Sequence, residues 1–370
     1  METALYIHIP FCLRKCDYCD FYSVLFDGDV ARRYMEALRR ELLLRRHEIG
    51  QLRTIFIGGG TPTVLKGEDL AEFMQFIVQN LELATDVEIT TEANPLTVPP
   101  QKLALLKSAG INRLSLGVQS FDDAILRRLG RVHDGNQAGR AIEAVAKVFS
   151  NYSIDLLYAV TGQSLDCWYS TLVEAVACGP CHVSAYELTI EPSTPLARTG
   201  VVLPHEDVAV EMFDLAADYL TRSGYIHYEI SNHARPGCQC LHNLNYWRGG
   251  GYVGVGAGAH SYTAGRRFFN IADVAHYITA ISDDTLPIEG LVEITPQIAQ
   301  QEAILLGLRT IEGVRAVISP VIDELQRQGL VSFKDGVLSL THRGMLVSNQ
   351  VIGQIIAAGD VELREDIDTK

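Results

Sequence analysis

Three cysteines near the start of the sequence are close enough together to bind one metal centre. Cys12, Cys16 and Cys19 follow an alternating apolar segment and have the spacing C-x3-C-x2-C. Thiolate sulfur is a soft ligand that iron–sulfur clusters select, and a [4Fe–4S] cluster ordinarily takes four cysteines. Free thiols on a turn and a closed zinc site are the alternatives, although zinc would require a fourth Cys or His nearby. The spacing favours a cluster in which one iron keeps an open coordination position.

Polar or glycine residues stand at the ends of several short apolar segments. Gly58 to Thr61 follow one such segment, and Glu92 and Gln119 end the next two. Turn chemistry alone explains any one of these residues, the glycines especially. Barrel-type α/β folds place their chemistry at the carboxyl ends of their strands. The recurrence at consecutive segment ends therefore favours one shared site.

The segments that carry these residues alternate between strand and helix patterns through the first 190 residues. Amphipathic helices are predicted at 30–47, 68–80, 100–109 and 164–176. The predicted strands are the apolar segment before Cys12 and residues 54–57, 87–92, 113–119, 153–158 and 182–188. Six strands that alternate with helices predict a parallel sheet with right-handed crossovers. The expected fold class is α/β.

The pattern changes after about residue 290, where the sequence predicts a small winged-helix-like domain. Helices are predicted at 297–309, 321–328 and 343–357, and a hairpin at 330–340 turns at Asp335-Gly336. From Glu293 onward, 11 acidic residues stand against 7 basic ones. This charge balance disfavours DNA binding, so the domain is expected to pack against the barrel.

The bulk composition limits the classes of partner. The 370 residues are 47% hydrophobic and 21% charged, and the formal net charge of −14 disfavours a nucleic-acid partner. No apolar run approaches the roughly 18 residues of a membrane span. No basic and then hydrophobic leader precedes Cys12, and eight cysteines are too few for a disulfide scaffold. We expect a cytoplasmic protein without an integral membrane segment.

Three further patterns resemble functional motifs. Cys178-Gly179-Pro180-Cys181 has the C-x-x-C form of a redox pair. It is expected to end a helix, where the helix dipole has the wrong sign to lower a thiol pKa. The glycine-rich segment 254–258 has no following helix with an acidic partner, so a close-packed turn is expected instead of a nucleotide site. Cys238 and Cys240 lie beside His242 and are either free thiols or supports of a metal site.

Taken together, the cysteine spacing and the segment Tyr6-Ile7-His8-Ile9-Pro10-Phe11-Cys12 resemble the radical S-adenosylmethionine (SAM) superfamily. The likeness is to the branch that holds the oxygen-independent coproporphyrinogen oxidase and its haem-chaperone relatives, and it runs nearly end to end. It implies a partial (β/α)6 barrel in which Cys12, Cys16 and Cys19 bind three irons of a [4Fe–4S] cluster while SAM chelates the fourth. It also implies that the cluster reduces SAM to methionine and a 5′-deoxyadenosyl radical.

The resemblance also implies which residues contact SAM. Gly59, Gly60 and Thr61 would receive the methionine amino group. Arg131 would pair with the SAM carboxylate, and Asp155 would take the ribose hydroxyls. Surface ion pairing is the alternative for Arg131 and Asp155. The remaining implied contacts are Glu92 and Gln119 at strand ends and Tyr6 near the adenine.

Two features favour the haem-chaperone branch. The oxidase pattern has a further cysteine two residues after the third ligand, where this chain has Phe21. The chaperone branch has the motif H-N-x-x-Y-W, which is matched by His242-Asn243-Leu244-Asn245-Tyr246-Trp247. The resemblance implies haem binding there, with His242 as a candidate iron ligand and the two aromatic residues stacked on the porphyrin. The alternative is a buried histidine with satisfied ring nitrogens beside two core aromatic residues.

The expected organisation has three parts. They are a radical SAM partial barrel over 1–230, a connecting segment with the H-N-x-x-Y-W motif over 231–290, and a winged-helix-like domain over 291–370. The resemblance implies a haem chaperone that binds a [4Fe–4S] cluster and SAM and delivers haem to haem-accepting apoproteins, with an electron donor as a further partner. The alternative is coproporphyrinogen III oxidase, an oxidative decarboxylation enzyme of porphyrin biosynthesis, and Phe21 speaks against it. No residue is assigned a catalytic role.

Overall fold

The strands of the protein come from its whole length. The computed structural model describes residues 2–359, Val361 and Leu363. The strands in this part of the chain are β1 (Glu2–Ile9), β2 (Phe11–Cys12), β3 (Val24–Leu25), β4 (Gln51–Gly59), β5 (Leu83–Ala93), β6 (Arg113–Gln119), β7 (Tyr152–Tyr158), β8 (His182–Glu187), β9 (Ile226–Glu229), β10 (Asn232–Ala234), β11 (Tyr252–Val255), β12 (His260–Thr263), β13 (Arg266–Asn270), β14 (Ile288–Glu293), β15 (Val314–Arg315), β16 (Val331–Lys334) and β17 (Val337–Leu340).

Helices separate most of these strands. They are α1 (Gly28–Arg45), α2 (Gly67–Asn80), α3 (Pro100–Ser108), α4 (Asp123–Arg128), α5 (Gly135–Ala146), α6 (Leu165–Ala177), α7 (Pro195–Arg198), α8 (Glu206–Arg222), α9 (Leu241–Trp247), α10 (Val274–Ser282), α11 (Pro296–Gly307), α12 (Pro320–Arg327), α13 (His342–Leu346) and α14 (Ser348–Ala358). Short 3-10 helices lie at Pro62–Val64 and Pro95–Thr97. Within the described residues, no helix has the length and apolar character that crossing a membrane requires.

One large sheet organises the protein. Twelve of the described strands pair in the order β14-β13-β12-β11-β1-β4-β5-β6-β7-β8-β10-β9. Neighbours from β11 to β8 are parallel, and the pairs outside that range are antiparallel. The predicted α/β fold class is confirmed, and β11 adds a parallel strand that the sequence did not predict.

The parallel strands form the core because helices cover the sheet. Leu5, Ile7 and Ile9 of β1 are fully buried, as are Ile55 and Ile57 of β4. Strands buried on both faces have nearly continuous apolar sequences, which is why these short segments were recognisable.

A glycine turn lets β11 pack closely beside β1. Gly256 follows β11 with φ +103°, a conformation that L side chains rarely adopt. A Cβ at Gly256 would lie 2.5 Å from the His8 carbonyl oxygen and 2.6 Å from the Tyr34 hydroxyl. The close-packed turn predicted for segment 254–258 is present from Gly256 onward, whereas Gly254 and Val255 belong to β11.

A buried ion pair ties α1 to the strands added after residue 250. Glu41 and Arg45 have fully buried side chains, and Arg45 Nε donates to Glu41 Oε1 at 2.8 Å. The other acceptor positions of Glu41 take hydrogen bonds from the Asn270 amide at 2.7 Å, the Gly256 backbone N–H at 2.8 Å and the Tyr277 hydroxyl at 2.7 Å. Four donors therefore converge on one carboxylate.

The C-terminal part has its own core, to which Leu308, Ile322, Leu338 and Ile355 contribute. Its sheet has the order β15-β17-β16. The predicted hairpin is present, with positive φ of 54° at Asp335 and 78° at Gly336. The single final helix predicted at 343–357 is wrong, because the chain breaks at Val347 into α13 and α14.

The sheet runs across the predicted division at residue 230. In segment 231–290, β10 pairs with β8 at one side, and β11 pairs with β1 at the other. The three-part division stays a prediction, and residues 360, 362 and 364–370 of its last part lie outside the described residues.

Candidate functional site

A cavity of about 570 Å³ lies at the carboxyl ends of the parallel strands. All twelve residues predicted from the sequence line it. They are Tyr6, Cys12, Cys16, Cys19, Gly59, Gly60, Thr61, Glu92, Gln119, Arg131, Asp155 and His242. Parallel strands bring their ends to one edge of a sheet, which explains how residues so far apart in sequence meet. Their binding roles stay predictions.

The cysteine loop crosses one side of this cavity. Asp17, in the middle of the loop, donates its N–H to Leu129 O at 3.2 Å and accepts from Leu196 N at 2.7 Å. Arg131 Nη1 donates to Cys16 Sγ at 3.3 Å, and Cys12 Sγ lies 3.7 Å from Thr61 Oγ1. The loop is therefore held by the barrel, and its thiols face the residues predicted to bind SAM.

The three thiols fit a multi-iron ligand set. All are free, and burial raises the pKa of Cys12 and raises that of Cys19 to about 11. Iron binding would displace these protons, since only thiolates bind metal well. Among the described residues, no group of three His, Cys, Asp or Glu side chains is gathered around a single-ion site. A cubane cluster needs no such group, because each thiolate binds a different iron.

The glycine segment at the end of β4 lies directly against the cysteine loop. Gly60 N donates to Ile9 O at 2.9 Å, Thr61 N to Phe11 O at 2.8 Å, and Gly59 N to Glu92 Oε2 at 3.1 Å. A Cβ at Gly60 would lie 2.8 Å from Phe11 O and 3.0 Å from Cys12 Sγ. Because all three N–H groups are used, the segment can offer only its backbone carbonyl oxygens to a ligand. Carbonyl oxygens are the acceptors that an ammonium group needs.

Glu92 is a carboxylic acid with a strongly altered protonation equilibrium. Burial and, secondly, the charge of Asp155 raise the pKa of Glu92 to about 8, while the Gly59 N–H opposes the shift. Without a charged ligand beside it, Glu92 is therefore largely protonated at neutral pH. A cationic ligand beside it would favour the carboxylate.

The raised pKa of Glu92 predicts how the stability of the ligand-free protein changes with pH. The folded protein binds a proton that the unfolded chain releases at its ordinary pKa near 4.5, so stability falls as pH rises from there to about 8. We expect the urea midpoint of Glu92→Gln, measured relative to that of the unchanged chain, to be higher at about pH 8 than at about pH 6. The exposed substitution Glu72→Gln is the control, and equal midpoint differences at both pH values would contradict the prediction.

Arg131 is positioned for an anionic group. Its Nη2 donates to Asn94 Oδ1 at 2.6 Å and to the Gly117 carbonyl at 2.5 Å. Its Nε is buried without a hydrogen-bond partner among the described residues. A buried unsatisfied donor costs about 1–3 kcal/mol, which a ligand carboxylate beside it would recover. Gln119 follows at the strand end with φ +68°, a left-handed conformation that is uncommon for a non-glycine residue.

Three serines that the sequence analysis did not select surround Asp155. Ser115 donates to its Oδ2 at 2.9 Å, and Ser184 and Ser153 donate to its Oδ1 at 2.9 and 3.1 Å. Burial raises the pKa of Asp155, and these hydroxyls oppose that shift. Each serine lies on a different one of three neighbouring strands, β6, β7 and β8. Serine has no special spacing, so only the strand register could have revealed this cluster.

The other residue missed is Asn94, just after β5. Its amide donates to Thr61 Oγ1 at 2.7 Å while its oxygen accepts from Arg131. Asn94 therefore joins the glycine segment to the arginine. Its position two residues after Glu92, at the same strand end, was the available signal.

His242 lies on the floor of the cavity with 1% of its surface exposed. Its Nδ1 lies 2.8 Å from Thr54 Oγ1 and its Nε2 2.9 Å from the Tyr246 hydroxyl. Burial and, secondly, Arg113 lower its pKa to about 3, so the ring is neutral. This geometry matches the alternative given for His242 above, a buried histidine with both ring nitrogens hydrogen-bonded. Iron ligation by His242 stays a prediction and would require the loss of one of these two hydrogen bonds.

The C-x-x-C motif and Tyr6 both have ordinary structural contacts. Cys178 caps the C-terminus of α6 and Cys181 precedes β8, as predicted for a motif that ends a helix. Tyr6 donates to or accepts from His8 Nδ1 at 3.0 Å, and its ring stacks on Phe56 at 6.3 Å.

Comparisons with known proteins agree with this geometry. A profile described as "Radical SAM superfamily" matches residues 6–174. A protein from Bacillus subtilis named "Heme chaperone HemW" is 36% identical, over 96% of this chain and 99% of that protein. Proteins of the same name from Escherichia coli and Lactococcus lactis are 42% and 39% identical, over 70% and 84% of this chain and 69% and 83% of their own.

A solved structure shows the same fold over nearly the whole chain. It is titled "Coproporphyrinogen III oxidase (HemN) from Escherichia coli is a Radical SAM enzyme". The TM-score is 0.83 with 20% sequence identity, over 96% of this chain and 90% of that one. At this identity the likeness establishes the fold alone. From the similarity to the relatives and the shared fold, the chain belongs to the radical SAM superfamily and, within it, to the HemW family.

Proposed function

We propose that the protein is a haem chaperone that binds a [4Fe–4S] cluster, SAM and haem and delivers haem to apoproteins. The observation that carries the proposal is the single cavity in which three free thiols face Gly59–Thr61, Glu92 and Arg131. Relatives named haem chaperones, which are 36–42% identical to this chain, support haem as the cargo.

In this proposal, Cys12, Cys16 and Cys19 hold the cluster. The loop is fixed on one side by Leu129 and on the other by Gly60, where no Cβ fits between the backbone of the loop and Cys12 Sγ. The guanidinium of Arg131 beside Cys16 offsets the negative charge of bound thiolates. When bound, the cluster would supply an electron to SAM.

SAM would bind along the strand ends beside the cluster. The carbonyl oxygens of Gly59 and Gly60 would accept from its amino group, and the free Nε of Arg131 would donate to its carboxylate. Glu92 would lose its proton beside the cationic ligand. Asp155, held by its three serines, would accept from the ribose, and Tyr6 would lie at the adenine. These residues orient SAM and exclude water from it.

The alternative is coproporphyrinogen III oxidase. The fold likeness to that enzyme is high, but the sequence identity of 20% does not carry its activity across. Phe21 stands where the oxidase pattern has a cysteine, and the residue is 66% exposed beside the cavity. The absence of a cysteine at position 21 therefore favours the chaperone.

The partners in this proposal are haem, haem-accepting apoproteins and an electron donor. The protein would work in the cytoplasm, where a reducing environment keeps thiols free for iron. The net charge of −14 leaves nucleic acid outside the set of partners.

The test is a haem titration of the anaerobically reconstituted protein, followed by mixing with a haem-free apoprotein such as apo-globin. We expect the protein to bind about one haem per chain. After mixing, the absorption spectrum of the haem-loaded acceptor protein should appear, and the transfer should depend on SAM or reductant. In the same tubes, coproporphyrinogen III is supplied and porphyrin products are measured. Absence of haem binding, or turnover of coproporphyrinogen III, would overturn the proposal.

A further inference from the structure

Two cysteines that are distant in sequence lie together at the amino end of β8. Cys181 precedes β8, and Cys238 follows β10, which pairs antiparallel with β8. Both cysteines are free, and the Cys181 thiol is in hydrogen-bonding contact with the Cys238 thiol. Neither of them lines the cavity at the strand ends (the first cavity) or the adjoining second cavity of about 940 Å³.

The backbone holds the two thiols in this position. Arg235 N donates to the Cys181 carbonyl at 2.8 Å, directly beyond the last residue pair of β8 and β10. Cys238 N then donates to the Arg235 carbonyl at 3.0 Å and closes a turn. Within this turn Gly237 has φ +79°, a conformation that glycine adopts without strain. The turn therefore returns the chain to Cys181.

We propose that Cys181 and Cys238 form a reversible dithiol–disulfide pair, which small-molecule disulfides such as glutathione disulfide oxidise. The pair is a modification site separate from the cluster cysteines, and it goes beyond the proposed function. The redox partner of Cys181 is then Cys238, and not Cys178 of the C-x-x-C motif.

The two other cysteines nearby in sequence have different surroundings. Burial and the acidic side chains of α6 and α5 raise the pKa of Cys178. Cys240 Sγ lies 3.7 Å from Glu88 Oε1, so this thiol already has a partner. Among the described residues, no third His, Cys, Asp or Glu side chain joins the pair to make a metal site. Cys181 and Cys238 are therefore the two thiols placed to react with each other.

The two thiols differ in access, which sets the order of the chemical steps. Cys238 is half-buried and follows three exposed residues, whereas Cys181 is only 7% exposed. The Cys238 thiolate would attack one sulfur of glutathione disulfide and release one glutathione thiolate. The Cys181 thiolate would then attack the Cys238 sulfur of this mixed disulfide and release the second one. The protein thus loses two electrons to glutathione, and its two thiol protons pass to the two released thiolates.

The surroundings of Cys181 keep it in the thiol form before the mixed disulfide is made. Burial and, secondly, the Cys238 thiol raise the pKa of Cys181 to about 11. Its thiol donates to Asn151 Oδ1 at 3.2 Å. Since the thiolate is the attacking species, Cys181 would react with external disulfides slowly by itself. A cytoplasm rich in reduced glutathione would keep the pair reduced, and oxidising conditions would join it.

The disulfide would also change stability. It would link β8 to the turn that precedes α9 and join two residues about 60 positions apart. A link of this kind restricts the unfolded chain more than the folded one. The oxidised protein is therefore expected to resist urea better than the reduced protein.

The experiment exposes the anaerobically reconstituted full chain to mixtures of reduced glutathione and glutathione disulfide. Free thiols are trapped with a maleimide, and tandem mass spectrometry locates the linked residues. The variants are Cys181→Ser, Cys238→Ser and Cys178→Ser, the last being the matched control from the same motif. We expect the Cys181–Cys238 link in the unchanged chain and in Cys178→Ser, and its loss in excess reduced glutathione. Cys181→Ser should instead accumulate glutathione on Cys238.

A second measurement keeps the test independent of how well the variants fold. The unchanged chain should have a higher urea midpoint after oxidation than before it, and Cys238→Ser should lack this gain. A link between Cys178 and Cys181, or glutathione on separate cysteines with no link at any ratio, would overturn the proposal. Haem binding and transfer are not measured in this experiment, so its failure leaves the proposed function standing.

Discussion

Anaerobically reconstituted protein that carries Cys16→Ala is expected to hold less than about one iron per chain, against about four in the unchanged chain. With two of three thiolates left, two irons of a cubane would have no protein ligand, and the cluster would be lost to solvent. Cys12→Ala and Cys19→Ala should behave alike, since all three thiols line the same cavity. Iron and sulfide analysis with the absorption spectrum measures the effect.

The matched control is Cys167→Ala. Cys167 is also a free, half-buried cysteine, but it lies in α6, where alanine is a good helix former. This variant should keep a full cluster. Arg131 remains bonded to Asn94 and Gly117 when the Cys16 thiol is removed, so the fold of the Cys16 variant should survive, as circular dichroism can verify. Full iron content in Cys16→Ala would show that the loop does not bind the cluster.

Replacing Glu41 by leucine is expected to destabilise the protein by about 3–5 kcal/mol, because it leaves the Arg45 guanidinium buried without its closest carboxylate. Three further donors, from Asn270, Gly256 and Tyr277, would also lose their acceptor. Glu41→Gln should also destabilise the protein, since its amide NH₂ would face two donors. Urea unfolding, followed by fluorescence of the buried Trp168, measures the change in midpoint.

Two further variants separate the ion pair from helix effects. Glu36→Ala removes a 61% exposed side chain on the same helix and should change the free energy of unfolding by less than about 0.5 kcal/mol. The double variant Glu41→Leu/Arg45→Met removes both charges and should recover much of the loss, because no buried charge remains unpaired. A double variant as unstable as Glu41→Leu would show that the lost hydrogen bonds, and not the charge, dominate.

The parallel core and the first cavity were predictable because their signals are local. Largely buried strands such as β4 and β6 read as short, mostly apolar segments, and parallel pairing brings their polar ends together. Glu92 and Gln119 were therefore found from their position at strand ends alone. The likeness to a known family added Arg131 and Asp155, whose side chains come from a turn and from the middle of a strand.

What the sequence did not predict depends on long-range pairing. Strands β11 to β13 are only four or five residues long, β12 and β13 are largely polar, and β11 lies in a glycine-rich segment, so their pattern does not separate them from loops. Glu41 and Arg45 have the i, i+4 spacing of an ordinary surface ion pair, and only the packing of Asn270 and Tyr277 over them makes the pair buried.

The position of β11 beside β1 has a consequence for the order of events during synthesis. The cysteine loop begins at Cys12, but β11, which pairs with one edge of β1, begins at Tyr252, roughly 240 residues later. A ribosome making about 5–20 residues per second needs about 12 s or more to reach it. Until then, one edge of β1 has no strand partner, and Tyr22 of the loop lacks the hydrogen bond that Val274 N donates to it at 3.0 Å. Iron binding by this loop is therefore expected to follow the synthesis of most of the chain. A nascent chain stalled before residue 250 should expose an unpaired, aggregation-prone strand edge and bind iron weakly.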